Sequence, residues 1–568
     1  MTIHSPTAVA PDQPSHSEYL TGLRFDRGTP EELRRTATGG DQDEFVATWT
    51  DLLKKQVRGG DPPQPERAFE WTPVVAPLTS AWRTTFSQNT PTRPVIVSRA
   101  ANRFPLPTIA HLDAGATDGD LLASLALLTR KPPPGRNAQW LSAWRRCIEL
   151  TTSRPLSAEL AYTTGLLLSP LKGTSQLRRK GQMALREELL TRTDNDGTPL
   201  AETLPDLAEW LGGLVRAGWW SHHLDAKLWT KTASERFTKL VRWVTPLFRN
   251  GDRLAMSDRP ARSLGSLLES ANQLIGDVDT QPVTQPVTQS DRARVAVLRD
   301  TTSPAAPSVV VAHDSSPPRL DISIGNRTLL CDEWSLEVTS GQHDWHLGRW
   351  DCVCWQSDDD CDYIELQAHA GDGRRVDRHI LLSRTEHLLV LADAIITTVE
   401  SSVDQPISCR SGLSLAQGVT TAPARNGHRD QRLKGRGISA RVVPLAIPDD
   451  PLFSPGPSSL TCHDSRLSWG HASRGPGLFL PLIVDFAADR RRRKAEWNSL
   501  TVTEDREIVS PNRASAYRLR IGDLQLVLYR SLVETSAPRS VIGQHTRHES
   551  FFGLLRPDGD FSPLVTVE

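Results

Sequence analysis

A change of hydrophobic period divides this chain and limits what it can fold into. From about residue 118 to 277, apolar residues recur at i, i+3, i+4 and i+7, as in "NAQWLSAWRRCIELTTS", "QLRRKGQMALREELLTRT" and "LDAKLWTKTASERFTKLVRWVTPLFR". That spacing lays one apolar stripe along a helix. Joints rich in Gly, Pro and Asp, such as "RKPPPGR" and "TDNDGTP", stop one helix and cap the next. Beyond residue 319 the period becomes two. "RLDISIG", "DYIELQAHA", "RVDRHILLS", "AYRLRIG" and "LQLVLYRSL" are short, partly alternating runs separated by turn residues, as in a large antiparallel sandwich. A helical pattern does not settle as a strand, nor the reverse. The expected fold class is therefore α+β multidomain: an α-helical domain over residues 21–277, then a large antiparallel β-sandwich over 319–568. At 568 residues the chain is too long for one ordinary core. Residues 278–318, with the tandem QPVT repeat, read as a linker or edge segment. Residues 1–20 read as disordered, and an early helix is expected around "DQDEFVATWTDLLKKQ".

Composition narrows the function. Lys and Arg number 66 against 67 Asp and Glu, so no overall field draws the chain to nucleic acid or to an anionic membrane, and recognition of a charged ligand must be local. Seven cysteines, sparse and odd in number, are unlike a disulfide-stapled secreted scaffold and fit a reducing compartment. The opening "MTIHSPTAVAPDQPSHSEYL" has no basic n-region and no apolar h-region, and no apolar run reaches bilayer length. The expectation is a cytoplasmic protein without membrane or nucleic-acid partners. Sixteen tryptophans against five tyrosines is unusual. Trp faces can platform sugar rings, and Trp also fills the cores of large domains.

No Gly-rich phosphate cradle, H-E-x-x-H or spaced pair of C-x-x-C knuckles occurs, which sets aside nucleotide-dependent and zincin chemistry. No cofactor and no metal is expected. The densest group of metal-ligating residue types is "WDCVCWQSDDDCDYIEL". Cys352 and Cys354, two apart on an expected strand, would share one face about 6.6 Å apart. No second pair completes a tetrahedron, and Asp358, Asp359 and Asp360 are ordinary turn formers.

Several longer passages carry a resemblance. In the helical half they are "LKGTSQLRRKGQMALREELLTRTDNDGTPLAETLPDLAEWL" and "LFRNGDRLAMSDRP"; in the β half, "VCWQSDDDCDYIELQA" followed by "DRHILLSRTEHLLVLADAI". In wording and order these resemble the heparinase II/III-like polysaccharide lyases, over roughly residues 120 to 555. The resemblance implies an incomplete (α/α) toroid followed by a β-sandwich, an acidic, uronate-containing polysaccharide as partner, and β-elimination. That reaction needs a cation on the sugar carboxylate, a Tyr or His to take the C5 proton, and an acid for the departing O4.

The resemblance also implies where to look. The family's D-G turn is present at Asp196 and Gly197, but where relatives carry a phenol this chain has Leu207, and "LSAELAYTTGLLL" lacks the Asn-His pair of active relatives. Tyr162 could replace the phenol, or be core on its apolar helix. His222 and His223 follow Trp219 and Trp220 in "WWSHHLDAK". They suit a sugar platform with an imidazole base, or a helix C-terminus where His meets the dipole. Arg216, one turn upstream of Trp220, suits a sugar carboxylate. Arg378 and His379 point to opposite faces of one strand, so only one can face a cleft. The run "DRRRRKAEW" offers Arg491 as a handle for an acidic polymer, or is a solvated loop. A catalytically degenerate carbohydrate-binding protein is the rival reading. A hydrolase of (α/α) type, using carboxylates among Asp194, Asp196, Glu202, Asp206 and Glu209, is a third.

Overall fold

The computed structural model describes residues 14–57, 116–249, 253–257, 264–276, 288–300, 306–371, 373–398, 405–424, 429–449, 452, 456–556 and 558–568. The QPVT repeat except its last residue, Thr288, and residues 1–13 lie outside these, while residues 16–20, expected as disordered, belong to a helix capped by Ser15. By internal contact the chain divides into two units. One comprises Met1–Gly197, Asp206–Thr245 and Arg259–Asp279; the other Thr198–Pro205, Pro246–Asp258 and Thr280–Glu568.

The first unit is helical. Among the described residues its helices are α1 (His16–Thr21), α2 (Glu31–Gly39), α3 (Gln42–Gln56), α4 (Asp118–Leu127), α5 (Asn137–Ser153), α6 (Ala158–Leu167), α7 (Thr174–Thr191), α8 (Leu207–His223), α9 (Lys231–Val244) and α10 (Leu264–Ile275). Side chains begin five of them: Ser15 and Thr117 close capping boxes at α1 and α4, and Asp41, Ser157 and Thr230 cap α3, α6 and α9. Each supplies an acceptor to first-turn N–H groups that have no partner within the helix. Tryptophan fills the core between α3 and α5. Trp49, Trp140 and Trp144 are at most 1% exposed, with ring centroids 4.9 Å apart for Trp49 and Trp144 and 6.0 Å for Trp140 and Trp144. Two glycines let α6 and α7 touch through their backbones. A Cβ at Gly165 would lie 2.4 Å from the Arg178 nitrogen, and one at Gly181 2.3 Å from that of Tyr162. No described helix is long and apolar enough to cross a membrane.

The second unit is antiparallel β-structure, which makes the whole chain α+β. Among the described residues it contains, apart from a two-stranded ribbon, four sheets, with nine, eight, five and four strands. The eight-stranded sheet runs, edge to edge, through Thr420–Pro423, Gln431–Gly435, Ile438–Pro444, Gly477–Asp485, Leu388–Thr397, Arg374–Ser383, Cys361–His369 and Asp351–Ser357. It is covered on both faces. One core joins it to the nine-stranded sheet through Trp334, Trp350, Ile364, Ile380 and Leu391. A second joins its other face to the five-stranded sheet (495–500, 514–521, 524–531, 550–555, 561–567) through Tyr363, Leu381, Val390, Leu526 and Phe552. A third, smaller core joins the five-stranded to the four-stranded sheet. Where period-two alternation predicts one wet face, Leu388–Thr397 and Gly477–Asp485 are buried at every position. Layers on both sides remove the need for a polar face, and these two strands read as continuous apolar runs. Residues of the segment expected as linker or edge form three strands, Thr288–Ser290, Val295–Arg299 and Pro307–Ala312, at one edge of the nine-stranded sheet.

The cysteine pair departs from expectation. Cys354 pairs with Glu365 but Cys352 with Leu366, so a bulge intervenes, and Val353 is left 51% exposed. The extra residue turns the two thiols to opposite faces. Cys352 packs on the core toward the nine-stranded sheet and Cys354 on the core toward the five-stranded one. They do not share a face.

Candidate functional site

The helical unit holds a cleft of about 360 Å³, walled by the start of α4, the start of α6, one face of α7 and the first half of α8. They include the start of α6, where the resemblance implies an Asn-His pair, but not Leu207, where it implies a phenol. Its lining includes four carboxylates, Asp118, Glu159, Glu188 and Glu209, beside Trp210, Arg216 and apolar residues such as Leu122, Leu185 and Leu214. Arg216 is 5% exposed, and Glu159 takes both of its faces, with Nε to Oε1 at 2.6 Å and Nη2 to Oε2 at 2.8 Å. A bidentate pair of this kind balances the guanidinium's charge, so Arg216 is not waiting for a sugar carboxylate. Asp118 is paired with Arg154. Burial raises the Glu188 carboxyl above its usual range, with Arg192 opposing. Leu207, at the start of α8, is fully buried.

The far end of α8 carries the ring cluster. Trp219 and Trp220 meet edge-on at 4.9 Å, Trp219 and His223 lie 4.0 Å apart, and His222 and His223 5.7 Å apart. Trp220 is 1% exposed and is a core residue rather than a platform; Trp219 is half-buried and His222 exposed. His223 Nδ1 lies 2.8 Å from the Trp219 carbonyl oxygen. A carbonyl only accepts, so Nδ1 carries the proton and Nε2 keeps its lone pair. Burial lowers this imidazole's pKa below the usual value. Arg216 and His223 are seven residues apart, about 10 Å along the helix axis, so the carboxylate cleft and the ring cluster are separate places. Tyr162 is 1% exposed, and its hydroxyl donates to Ser221 Oγ at 3.2 Å. Burial raises its pKa, and its place on α6, packed against α7 and α8, makes it core. Asp196 stands in the open, ion-paired to Lys239 at 2.9 Å, and Gly197 completes its turn with a φ of +75°.

In the β unit Arg378 and His379 do face opposite ways, but each face is roofed by another sheet, and both are 0% exposed. Arg378 donates from Nε to Asp393 at 2.8 Å, and from its terminal nitrogens to the Trp334 and Ser335 carbonyls at 2.6 and 3.2 Å. His379 meets the Tyr363 hydroxyl at 2.8 Å, and that hydroxyl donates to Glu365 at 2.8 Å. Burial, with the charge of Arg530 added, pushes the His379 pKa down to about 3. A neutral imidazole sealed between sheets cannot meet a polymer, nor can Arg378. Arg491 is half-buried, and its carbonyl receives Arg432 and Arg441, each at 2.8 Å. The basic run is thus no free loop: its first member, Arg490, is buried against Asp485 at 2.8 Å.

Sequence reasoning missed Glu159, Glu188 and Trp210 as cleft residues, and Tyr363 and Glu365 as partners of His379. The last pair left a signal. Tyr363 and Glu365 are two apart on a strand and so share a face, and Glu365 is the cross-strand neighbour of His379.

No protein-family model and no curated protein matches the chain. Solved structures do. A heparinase III gene product is similar with a TM-score of 0.54 at 10% identity, covering 92% of this chain and 100% of its own. A structure titled heparinase III gives 0.51 at 10%, covering 88% and 81%. A mutant of the heparan sulfate lyase HepC from Pedobacter heparinus gives 0.50 at 12%, covering 91% and 99%. The chain therefore has a polysaccharide-lyase-like fold, the one seen in heparinase III.

Proposed function

We propose that this protein is a lyase that cleaves a uronate-containing polysaccharide by β-elimination, with its helical unit as the incomplete (α/α) toroid of such enzymes. One observation carries the reading: the likeness to a heparan sulfate lyase extends over 91% of this chain and 99% of that one. Of the candidate bases, His223 has the fitting geometry. Its Nδ1–H is held by the Trp219 carbonyl, its Nε2 lone pair is left for a C5 proton, and burial keeps the ring neutral near pH 7. Trp219, tilted 35° to the His223 ring, offers the adjacent sugar face.

The test is incubation of the purified protein with a panel of uronate polymers. Elimination leaves a 4,5-unsaturated uronate that absorbs in the near ultraviolet. His223→Ala is expected to lower kcat by about 10²- to 10⁴-fold. In the wild type, kcat/KM should fall only as pH drops through an imidazole pKa below the ordinary 6.5. A flat trace across the panel with measurable binding to one polymer would favour the binding protein instead. One observation also supports a hydrolase: the cleft is lined with carboxylates, and Glu188 is held toward its protonated form, as a general acid requires. Reducing ends without ultraviolet absorbance would identify that chemistry.

A further inference from the structure

The β unit carries a larger cleft, of about 850 Å³, where strands Leu388–Thr397 and Leu524–Ser531 end and Arg374–Ser383 and Arg539–Val541 begin. Its volume is within the range of small-ligand sites. Arg539 in its wall is 1% exposed. Glu504 takes its Nε at 2.7 Å and Ser531 Oγ takes Nη1 at 2.6 Å. Its Nη2 is buried and has no hydrogen-bond partner among the described residues. An unmet guanidinium donor in a buried position costs free energy that an acceptor would recover.

Two more arginines, Arg513 and Arg547, line the same cleft and are exposed. Among its carboxylates, Glu549 is already engaged by Arg375 and by Arg530, the latter at 3.0 Å. Glu534 and Glu568 are exposed. A lining of mixed sign repels a dense polyanion. It suits one oxyanion set in a polyhydroxyl body, with guanidinium donors for the oxyanion and carboxylates and hydroxyls for the rest.

We propose that this cleft binds a carboxylate or sulfate group carried on a small polyhydroxylated ligand, with Arg539 Nη2 as the buried donor and Arg513 and Arg547 at the mouth. The site lies within the β unit and requires no lyase activity, so it stands or falls apart from the reading above.

The test is isothermal titration of the full chain with sodium sulfate, sodium glucuronate and glucose at constant ionic strength. Direct heats are preferable to a melting shift, because sulfate also stabilises folded proteins by exclusion from their surface. Saturable binding of both anions and not of glucose is expected. The exposed double variant Arg513→Ala/Arg547→Ala should weaken both by at least about tenfold, which is about 1.4 kcal/mol, and Arg539→Gln should remove binding. Since Arg539→Gln also breaks an ion pair with Glu504, the exposed pair keeps the test decisive if that variant misfolds. Flat titrations with both anions, an unchanged Kd in the double variant, or glucose binding as tightly as glucuronate would each overturn the proposal.

Discussion

Arg378 and His379 are neighbours on one strand and equally buried, yet they sit in networks of different kinds. Around the Arg378 guanidinium itself the bonds close. The guanidinium meets Asp393 and two carbonyls, and lies 4.1 and 4.7 Å from the ring centroids of Trp334 and Trp350. The second Asp393 oxygen takes Ser411 Oγ at 2.6 Å, which in turn takes Trp334 Nε1 at 2.7 Å. On the His379 face they do not close. Among the described residues, His379 Nε2 and the Nε and Nη1 of Arg530 have no hydrogen-bond partner, although Asp377, Glu365 and Glu549 surround that guanidinium. Burial alone does not make a charge structural; closure of its network does. Where a network stays open, the low dielectric is relieved by neutralising a member, as at His379, where burial holds the ring uncharged.

The sharpest way to break this contrast is to open the closed side. Arg378→Met leaves Asp393 buried without its cation, and the expected loss is about 3 to 5 kcal/mol in denaturant unfolding. Arg378→Met/Asp393→Leu should recover most of it, because a well-packed apolar pair often replaces a buried ion pair at little cost. A double variant as unstable as the single one would show that the wall depends on the charges themselves.

The open side should respond to pH. His379 binds a proton at about 3 when folded and near 6.5 when unfolded. The folded pKa lies below the unfolded one, so the native state is most stable above pH 6.5 and loses stability as pH falls toward 3. Down to pH 5 that loss is about 2 kcal/mol. Glu365, whose carboxyl is raised by burial, acts in the opposite sense, favouring the native state at low pH. The difference between wild type and His379→Leu isolates the imidazole: the variant's stability curve should lack the fall between pH 6.5 and 5. Parallel curves would mean that the ring is not held neutral.

The two sides were not equally legible in the sequence. Alternation along Arg374–Ser383 indicates that Arg378 and His379 diverge. That both directions end in a core follows from tertiary layering, and its trace was the run "LLVLADAIIT" beside them, apolar but for Asp393 and a terminal Thr397. In the helical unit, periodicity located the helices from α3 to α10. The pairing of Arg216 with Glu159, 57 residues earlier, leaves no local pattern, so a guanidinium free for substrate and one already matched read alike. The bulge that separates Cys352 from Cys354 is equally silent, because an extra unpaired residue needs no special letter.

The smallest expected effect tests the comparison most closely. Tyr363→Phe keeps the ring between His379 and Phe552, at 6.1 and 5.9 Å, and removes only the hydroxyl that joins His379 to Glu365. In a closed network that would strand two buried groups and cost up to about 3 kcal/mol. This network already tolerates unpartnered nitrogens, and Glu365 keeps the Arg530 guanidinium 3.8 Å away, so about 1 kcal/mol is expected. The loss should depend on pH in a set direction. The phenol lowers the Glu365 pKa against the stronger effect of burial, so without it the carboxyl rises further, and the deficit should shrink as pH falls into the carboxylate range and Glu365 takes up a proton in both proteins. A Tyr363→Phe deficit as large as that of Arg378→Met, and constant with pH, would place both faces of the strand in the same class and remove the contrast between them.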